Sequence, residues 1–254
     1  MHGRRREFLV AAAGLGLGGL GGAGAALFAS PPRLLPSRRQ ERTSSAAEPK
    51  TDADEPNSPP EDLMLQHAIE ERLLGIYEEL ADRLRTPEDR RAPDLLRQAA
   101  ALVRQLYEDF HQRLEEQYVF PHFENHAQLG PLVKTLRAQH AAGRQATDGI
   151  VQALGAAGDH AAHGARPPTA AVRSSLARAC RATVRLHRPH MAREATDLFQ
   201  TLYDVLPSAT LDELAEQFEK KQEKVFGEDG FKNLLAQIAG IEKELGLYEL
   251  KVPA

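Results

Sequence analysis

The chain has 254 residues, of which 42% are hydrophobic and 27% charged, and these values suit one soluble domain with some unstructured sequence. Its net charge of -4 gives no overall indication of nucleic-acid binding, which usually requires a basic surface. Alanine, leucine, glutamate and arginine dominate, so we expect an all-helical fold. The single cysteine, Cys180, excludes an internal disulfide framework, an iron–sulfur cluster and a cysteine-based zinc site, and its small apolar neighbours predict a buried helix position.

Residues 1–29 are predicted to be a targeting segment rather than part of the fold. Their RRREFL stretch, residues 4–9, resembles the RRxFL pattern of twin-arginine export signals. A glycine-rich apolar run follows, and Ala23-Gly24-Ala25 offers a small-residue cleavage site. The resemblance implies export to the periplasm or cell envelope by a route that carries folded proteins, often with cofactors already inserted. The alternative is an uncleaved membrane anchor through residues 9–29.

Residues 30–60 are predicted to be a disordered linker, because they are rich in proline, serine and charge and cannot bury enough apolar surface to fold. The helical domain then divides into two parts. Residues 61–206 are expected to form a helical bundle. Residues 207–254 are expected to form a C-terminal helical extension that packs on the bundle.

The first predicted helix runs from about Glu61 to Arg85. Apolar residues recur in it at spacings of three, four and seven, the pattern of a buried helix face; the stripe contains Leu63, His67, Leu74, Tyr77 and Leu80 or Ala81. A histidine on such a face is either a packed core residue or a ligand, and the stripe alone leaves both readings open.

The second predicted helix opens at Pro93 and ends at Pro121. It carries His111 and Glu115 four residues apart, which places both side chains on one face. An imidazole and a carboxylate stacked in this way can reach one metal ion, or bridge two, from inside a helical bundle.

The third predicted helix runs from about Pro131 to Leu154. Its predicted buried side contains Val133, Leu136, His140, Ile150, Val151 and Leu154. The fourth begins near Pro168, continues to Leu206 and repeats the second helix's pair at His190 and Glu194. His187, one turn before His190, is the main rival to it.

Two further helices are predicted after Pro207. A capping box formed by Thr210 and Glu213 is expected to open the first of them. The second is expected to begin at Phe231 and to close at Gly246.

The ordered set of LQHAIEERLLGIYEEL, FHQRLEEQYVFPHFE, LRAQHAAGR and RPHMAREATDLF resembles the hemerythrin-like (HHE cation-binding) family, and the resemblance covers roughly Glu61 to Leu250. It implies an all-α, four-helix up-down-up-down bundle with additional C-terminal helices. It also implies a non-haem pair of iron ions with an oxo or hydroxo bridge. Carried onto this sequence, the implied metal ligands are His67, His111, His140 and His190, with Glu115 and Glu194 as bridges.

One position departs from the family pattern. Hemerythrins usually have a second histidine one turn after that of the third helix, and here that position is Arg144, which cannot ligate. The departure leaves more open coordination than an oxygen carrier needs. Water, Glu70, Glu116 or His187 are candidates to fill the position, and Glu70 and Glu116 are alternatively ordinary solvated charges.

Three functions compete at this stage. The first is a di-iron protein that binds dioxygen or a related small oxidant in the cell envelope, for sensing, scavenging or iron handling, with a redox partner that the sequence does not identify. The second is a peroxidase-like or ferroxidase-like enzyme at the same centre. The third is a helical scaffold, metal-free or zinc-bound, in which the histidines are structural.

Overall fold

The computed structural model describes residues 57–156, 167–227 and 229–250. These residues form six helices and no strand. The predicted targeting segment and residues 30–56 of the predicted linker lie outside the described ranges. Among the helices that are described, none combines the length and the apolar character needed to cross a bilayer.

Four long helices come first in the chain: α1 (Pro59–Arg83), α2 (residues 92–119), α3 (Gly130–Ala156) and α4 (residues 170–205). A short 3₁₀ turn, Phe120–His122, follows α2. Two shorter helices complete the described chain: α5 (Ser208–Phe226) and α6 (Lys232–Leu245).

The two helices that carry a His-x-x-x-Glu pair contain π-helical turns. In α2 these turns are Arg104–His111 and Glu115–Val119, and in α4 the turn is Glu194–Leu198. A π-helical turn holds one more residue than the regular hydrogen-bonding pattern allows, and such turns frequently occur at functional sites. Glu115 and Glu194 each stand at the first position of one, so the two glutamates share this local backbone arrangement, whereas His111 ends a π-helical segment and His190 lies in regular α-helix.

The first four helices pack around one apolar core, with α1 against α2 and α4, and α3 against α2 and α4. The predicted stripe of α1 is buried throughout, and Cys180 is buried as well. Val151 was wrongly placed on the buried side of the third helix, since it is 43% exposed while Ile150 is buried. Adjacent helix positions are about 100° apart, so Val151 points away from the core while Ile150 points into it. The predicted all-α fold class is confirmed.

A buried arginine from α4 holds the turn that follows α1. The Arg173 guanidinium donates hydrogen bonds to the carbonyl oxygens of Leu84 (2.9 Å), Arg83 (3.2 Å), Thr86 (2.6 Å) and Asp89 (3.0 Å). The last carbonyls of a helix have no partners within the helix, so these bonds satisfy groups that burial would otherwise leave unpaired. The turn between α1 and α2 is thereby fixed against the start of α4.

The additional helices pack on the bundle through both charge and aromatic contacts. Arg72 of α1 donates two hydrogen bonds to the Glu242 carboxylate of α6, at 2.9 and 2.6 Å. Phe110 of α2 meets the Phe226 ring edge-to-face at 5.1 Å. The last helix closes at Gly246, whose φ of 76° lies in the left-handed region, as the sequence predicted.

The predicted N-cap of the fifth helix is wrong by three residues, since it is Pro207 and not Thr210. The helix begins at Ser208 rather than at a capping box formed by Thr210 and Glu213. Pro207 stands at the N-cap with extended backbone, φ -60° and ψ 149°, and the helix follows it directly. Proline is favoured at helix starts because its fixed φ suits the first turn and its missing N–H is not needed there.

Candidate metal centre

The structure brings all six predicted site residues together inside the bundle. Each of the four long helices contributes one histidine, and α2 and α4 add one glutamate each; the set is His67, His111, Glu115, His140, His190 and Glu194. All six side chains are buried. Their convergence from four helices is the arrangement on which the sequence-based hypothesis depended.

The six residues form two groups of four that share both glutamates. Half-site A consists of His67, His111, Glu115 and Glu194, and half-site B consists of His140, His190, Glu115 and Glu194. Within each half-site, one potential ligand atom from every residue lies within 4.8 Å of the other three. The geometry therefore offers two adjacent cation positions with matched donor sets.

Each carboxylate is divided between the two half-sites. Glu115 has Oε1 at 3.4 Å from Nε2 of His111 in half-site A and Oε2 at 3.3 Å from Nε2 of His140 in half-site B. Glu194 has Oε2 at 3.4 Å from Nε2 of His67 and Oε1 at 3.0 Å from Nε2 of His190. One oxygen of each carboxylate thus faces each half-site, which is the arrangement that a carboxylate bridging two ions requires.

Within each half-site the two imidazoles face each other through Nε2. The Nε2 atoms of His67 and His111 are 3.0 Å apart, and those of His140 and His190 are 3.1 Å apart. Two nitrogens at about 2.1 Å from one ion, in a right-angled arrangement, would be separated by about 3 Å. The observed spacing therefore suits two ligands of the same ion.

Three of the histidines have the other ring nitrogen engaged by an oxygen acceptor. Nδ1 of His111 donates to Gln66 Oε1 (2.9 Å), and Nδ1 of His190 donates to Gln139 Oε1 (2.9 Å). Nδ1 of His140 donates to the Glu116 carboxylate at 3.0 Å. A neutral imidazole with its proton on Nδ1 has a lone pair on Nε2. In half-site B two such lone pairs would face each other across 3.1 Å, and a proton or a metal ion between them would remove their repulsion.

The carboxylates of the site need the same compensation. Both oxygens of Glu115 and both oxygens of Glu194 are buried without a hydrogen-bond partner. A buried carboxylate with no partner costs several kcal/mol, and metal coordination is one of the few ways to offset that cost. Imidazole nitrogens and carboxylate oxygens are suitable donors for iron, manganese and zinc. The residues present therefore fit a pair of such ions.

The electrostatics of half-site B favour positive charge. Burial works against a charged imidazole at His140, but the neighbouring carboxylates of Glu115, Glu116 and Glu194 outweigh burial and raise its pKa to about 11. Partial burial likewise works against charge on Glu116, yet hydrogen bonds from His140 and Arg144 lower its pKa to about 2. Glu116 is therefore an ionised acceptor.

Arg144 contacts residues around the site without belonging to either half-site. Its Nη2 donates to the Glu116 carboxylate at 2.8 Å and its Nη1 donates to Gln112 Oε1. The same carboxylate accepts from Nδ1 of His140, so Arg144, Glu116 and His140 form a hydrogen-bonded chain. Glu116 is engaged in this chain and does not fill the open ligand position.

Glu70 and His187 form a separate buried pair beside the half-sites. Glu70 Oε1 lies 2.6 Å from Nδ1 of His187. Burial raises the pKa of Glu70 to about 8 and lowers the pKa of His187 to about 4, which favours the neutral form of each group at pH 7. Neither residue belongs to either half-site, and the reading of Glu70 as a solvated charge is wrong.

Aromatic rings enclose the histidines. Tyr107 stacks on His111 with ring centroids 5.2 Å apart, Phe120 stacks on His140 at 5.3 Å, and Phe199 lies 5.3 Å from His67. Buried apolar rings exclude water, and electrostatic interactions inside are stronger as a result.

Gln66 and Gln139 were not predicted from the sequence as acceptors for the histidines. A signal for them was present, because each directly precedes a site histidine, in LQHAIEE and in AQHAAGR. Each glutamine, however, contacts the histidine of a neighbouring helix rather than the one beside it in sequence. That crosswise contact depends on helix packing and cannot be read from the chain.

The fold and the site define a class of protein: a four-helix bundle with two buried His/Glu cation positions. The comparisons agree with this class, since residues 58–202 match the hemerythrin HHE cation binding domain. The chain therefore belongs to the hemerythrin HHE cation-binding family.

Relatives extend the match over most of the chain. An uncharacterized protein of Mycobacterium tuberculosis and one of Mycobacterium bovis are each 39% identical to it over 197 residues, which is 77% of this chain and 73% of theirs. No solved structure gives a significant match.

Proposed function

We propose that this protein holds a pair of non-haem iron ions, one in each half-site, and binds dioxygen or a related small oxidant there. Family membership supports cation binding. The single observation that carries the proposal further is the division of Glu115 and Glu194, each with one oxygen toward each pair of histidines. A site for one ion would not need two shared carboxylates.

In this proposal Glu115 and Glu194 would be shared by the two ions, and His67, His111, His140 and His190 would hold them. This donor set of imidazoles and carboxylates contains no thiolate and would suit iron. When bound, a pair of iron ions supplies electrons and open coordination positions to a small oxidant.

The surrounding residues position the ligands and keep the interior dry. Gln66, Gln139 and Glu116 accept the Nδ1 protons of three ligands and so keep the corresponding Nε2 lone pairs directed inward. Tyr107, Phe120 and Phe199 pack against three of the histidines and restrict the access of water to them.

A second candidate, a peroxidase-like or ferroxidase-like enzyme, is favoured by one observation. Arg144 contributes no ligand, and Glu70, Glu116 and His187 are each engaged in other hydrogen bonds. Four protein donors per ion leave more open positions than reversible carriage needs. An enzyme at this centre would show multiple turnovers with peroxide or ferrous iron, whereas a binder would give a stable, reversible adduct.

We place this function in the cell envelope, reached by the twin-arginine route, on the basis of the RRREFL stretch and the apolar run after it. Residues 1–29 then serve as a signal, or residues 9–29 as a membrane anchor. Fractionation of a bacterial host with an intact twin-arginine system, and of one lacking it, tests the location. A variant with Arg4, Arg5 and Arg6 replaced by lysine is expected to stay in the cytoplasm.

Metal analysis with an optical spectrum, on protein purified from an iron-replete host, tests the function. We expect two irons per chain, near-ultraviolet absorption from an oxo-bridged pair, and a change in that absorption when dioxygen is added to the reduced protein. Folded protein that purifies colourless, and takes up no iron when ferrous ion is added without oxygen, would overturn the proposal.

A further inference from the structure

We infer that the two half-sites bind their ions with unequal affinity and that half-site B fills first. The inference rests on the proposed function, because it concerns how the same two positions are loaded. It concerns residues outside the ligand set.

The ligand atoms themselves give no reason for a difference in affinity between the half-sites. Each half-site has two histidine Nε2 atoms, at 3.0 Å in half-site A and 3.1 Å in half-site B. Each also has one oxygen of Glu115 and one of Glu194. A difference in affinity must therefore come from the groups that hold the histidines.

Both histidines of half-site B donate a hydrogen bond through Nδ1, the ring nitrogen that faces away from the half-site. Nδ1 of His140 donates to the Glu116 carboxylate, and Nδ1 of His190 donates to Gln139 Oε1. The carboxylate is itself fixed by Arg144, at 2.8 Å. A carboxylate acceptor makes the coordinating nitrogen more basic and fixes the ring orientation, and removal of such partners typically costs about 10- to 100-fold in metal affinity.

The histidines of half-site A make fewer and weaker hydrogen bonds through Nδ1. Nδ1 of His111 donates to Gln66 Oε1, which is an uncharged acceptor. Nδ1 of His67 is buried without any partner. His67 is also the most exposed of the four histidines, at 8%, against 0% for His140 and 3% for His190. Its ring orientation is therefore held by packing against Phe199 and not by a hydrogen bond at Nδ1.

The two half-sites therefore load in a fixed order. Repulsion between two neighbouring cations separates the two binding steps in any paired site, but repulsion alone gives neither half-site priority. The order of filling is the property that the outer hydrogen bonds determine. We expect half-site B to bind its first ion about 10- to 100-fold more tightly than half-site A does.

The test is a zinc titration of the metal-free full chain, followed by NMR of the ¹⁵N-labelled imidazoles. Zinc is redox-inert and takes the same donors. With one equivalent, the Nε2 signals of His140 and His190 are expected to shift while those of His67 and His111 remain largely unchanged. Equal shifts in both half-sites, or earlier shifts at His67 and His111, would overturn the inference.

Two variants report on the cause. Glu116→Gln is expected to weaken the first binding step about 10-fold or more and to reduce the preference for half-site B. Gln66→Ala is expected to weaken only the second step. Glu216→Gln, in the exposed ion pair with Lys220 on α5, is the control and should change neither step. An unaltered first step in a folded Glu116→Gln variant would overturn the inference.

Failure of the proposed function gives a different result. If folded wild-type protein binds neither zinc nor iron, the proposed function is wrong and the inference with it. If two ions bind with no order between the half-sites, only the inference is wrong.

Discussion

Gly143 and His187 approach each other so closely across the contact between α3 and α4 that a β-carbon at residue 143 would lie 2.8 Å from Nε2 of His187. The absence of a side chain at this position therefore provides the space that the buried imidazole occupies. That imidazole in turn reaches Glu70 at 2.6 Å. Glycine at 143 thus permits the buried Glu70–His187 pair beside the half-sites.

Gly143→Ala is predicted to destabilise the protein by about 1–3 kcal/mol, because overpacking displaces His187 from a tightly packed interior. Gly149→Ala on the same helix is the control, since nothing lies within 4 Å of its added β-carbon. That variant should gain about 0.5–1 kcal/mol from helix propensity. Urea denaturation of both variants measures the difference, and equal effects would contradict the close approach.

Glu115→Gln and Glu194→Gln are each predicted to lower bound metal to less than one ion per chain, because each replaced carboxylate is shared by both half-sites. A neutral amide keeps the volume but removes the charge that both ions need. Glu108→Gln is the matched control, since Glu108 is also buried on α2 but belongs to neither half-site. Metal analysis after dialysis measures the outcome, and full metal content in either bridge variant would count against the shared role.

Arg173→Met is predicted to destabilise the protein by about 3–5 kcal/mol, since it leaves four carbonyl oxygens around the end of α1 without their donor. Arg178→Met, at an exposed position on the same helix, should change stability by less than about 0.5 kcal/mol. Thermal unfolding of the two variants provides the comparison. A small effect at residue 173 would show that water replaces the guanidinium without loss.

Glu70→Gln is predicted to change the pH dependence of stability. Burial raises the pKa of Glu70 to about 8 in the folded protein, from the ordinary 4.5 of an unfolded chain. Between these values the folded state holds a proton that the unfolded state releases, so this group's contribution to stability is lost as pH rises through about 8. Glutamine does not titrate, and the variant gains relative to the wild type from pH 5 to pH 8, by at most about 1.4 kcal/mol per pH unit.

Urea denaturation of the metal-free proteins at pH 5, 6, 7 and 8 measures this difference. Glu88→Gln, at an exposed position without an ion pair among the described residues, should run parallel to the wild type. A Glu70→Gln curve that also runs parallel to the wild type would mean that Glu70 is ionised in the folded protein at pH 7.

The sequence predicted the helices from local periodicity, whereas the joint assignment of the six site residues came from the resemblance to the hemerythrin-like family. Histidines on apolar stripes, and two His-x-x-x-Glu pairs, have few ways to be buried together other than in a bundle. The sequence did not predict the π-helical turns at Glu115 and Glu194, since these depend on how the packed helices accommodate an extra residue. Whether the six residues bind metal remains a prediction.

The surroundings of the site were the least predictable part. Glu70 and Glu116 each had a solvated reading from spacing alone, yet Glu70 is completely buried and Glu116 lies between His140 and Arg144. Their partners come from other helices, 24 to 117 residues away in sequence. A single chain without contacts gives no means to assign such pairs.

The crosswise contacts of Gln66 with His111 and Gln139 with His190 fix the longitudinal alignment of neighbouring helices. A slide of one helix past another by a single turn would move these atoms about 5.4 Å apart, far beyond hydrogen-bond reach. The same slide would separate the facing Nε2 atoms. Insertion of one residue in α1 ahead of residue 66 leaves this alignment intact. Insertion between residues 67 and 73 rotates the following part of the helix by about 100° relative to His67. Either the apolar residues after the insertion or His67 and Gln66 before it can then keep their buried contacts, but not both.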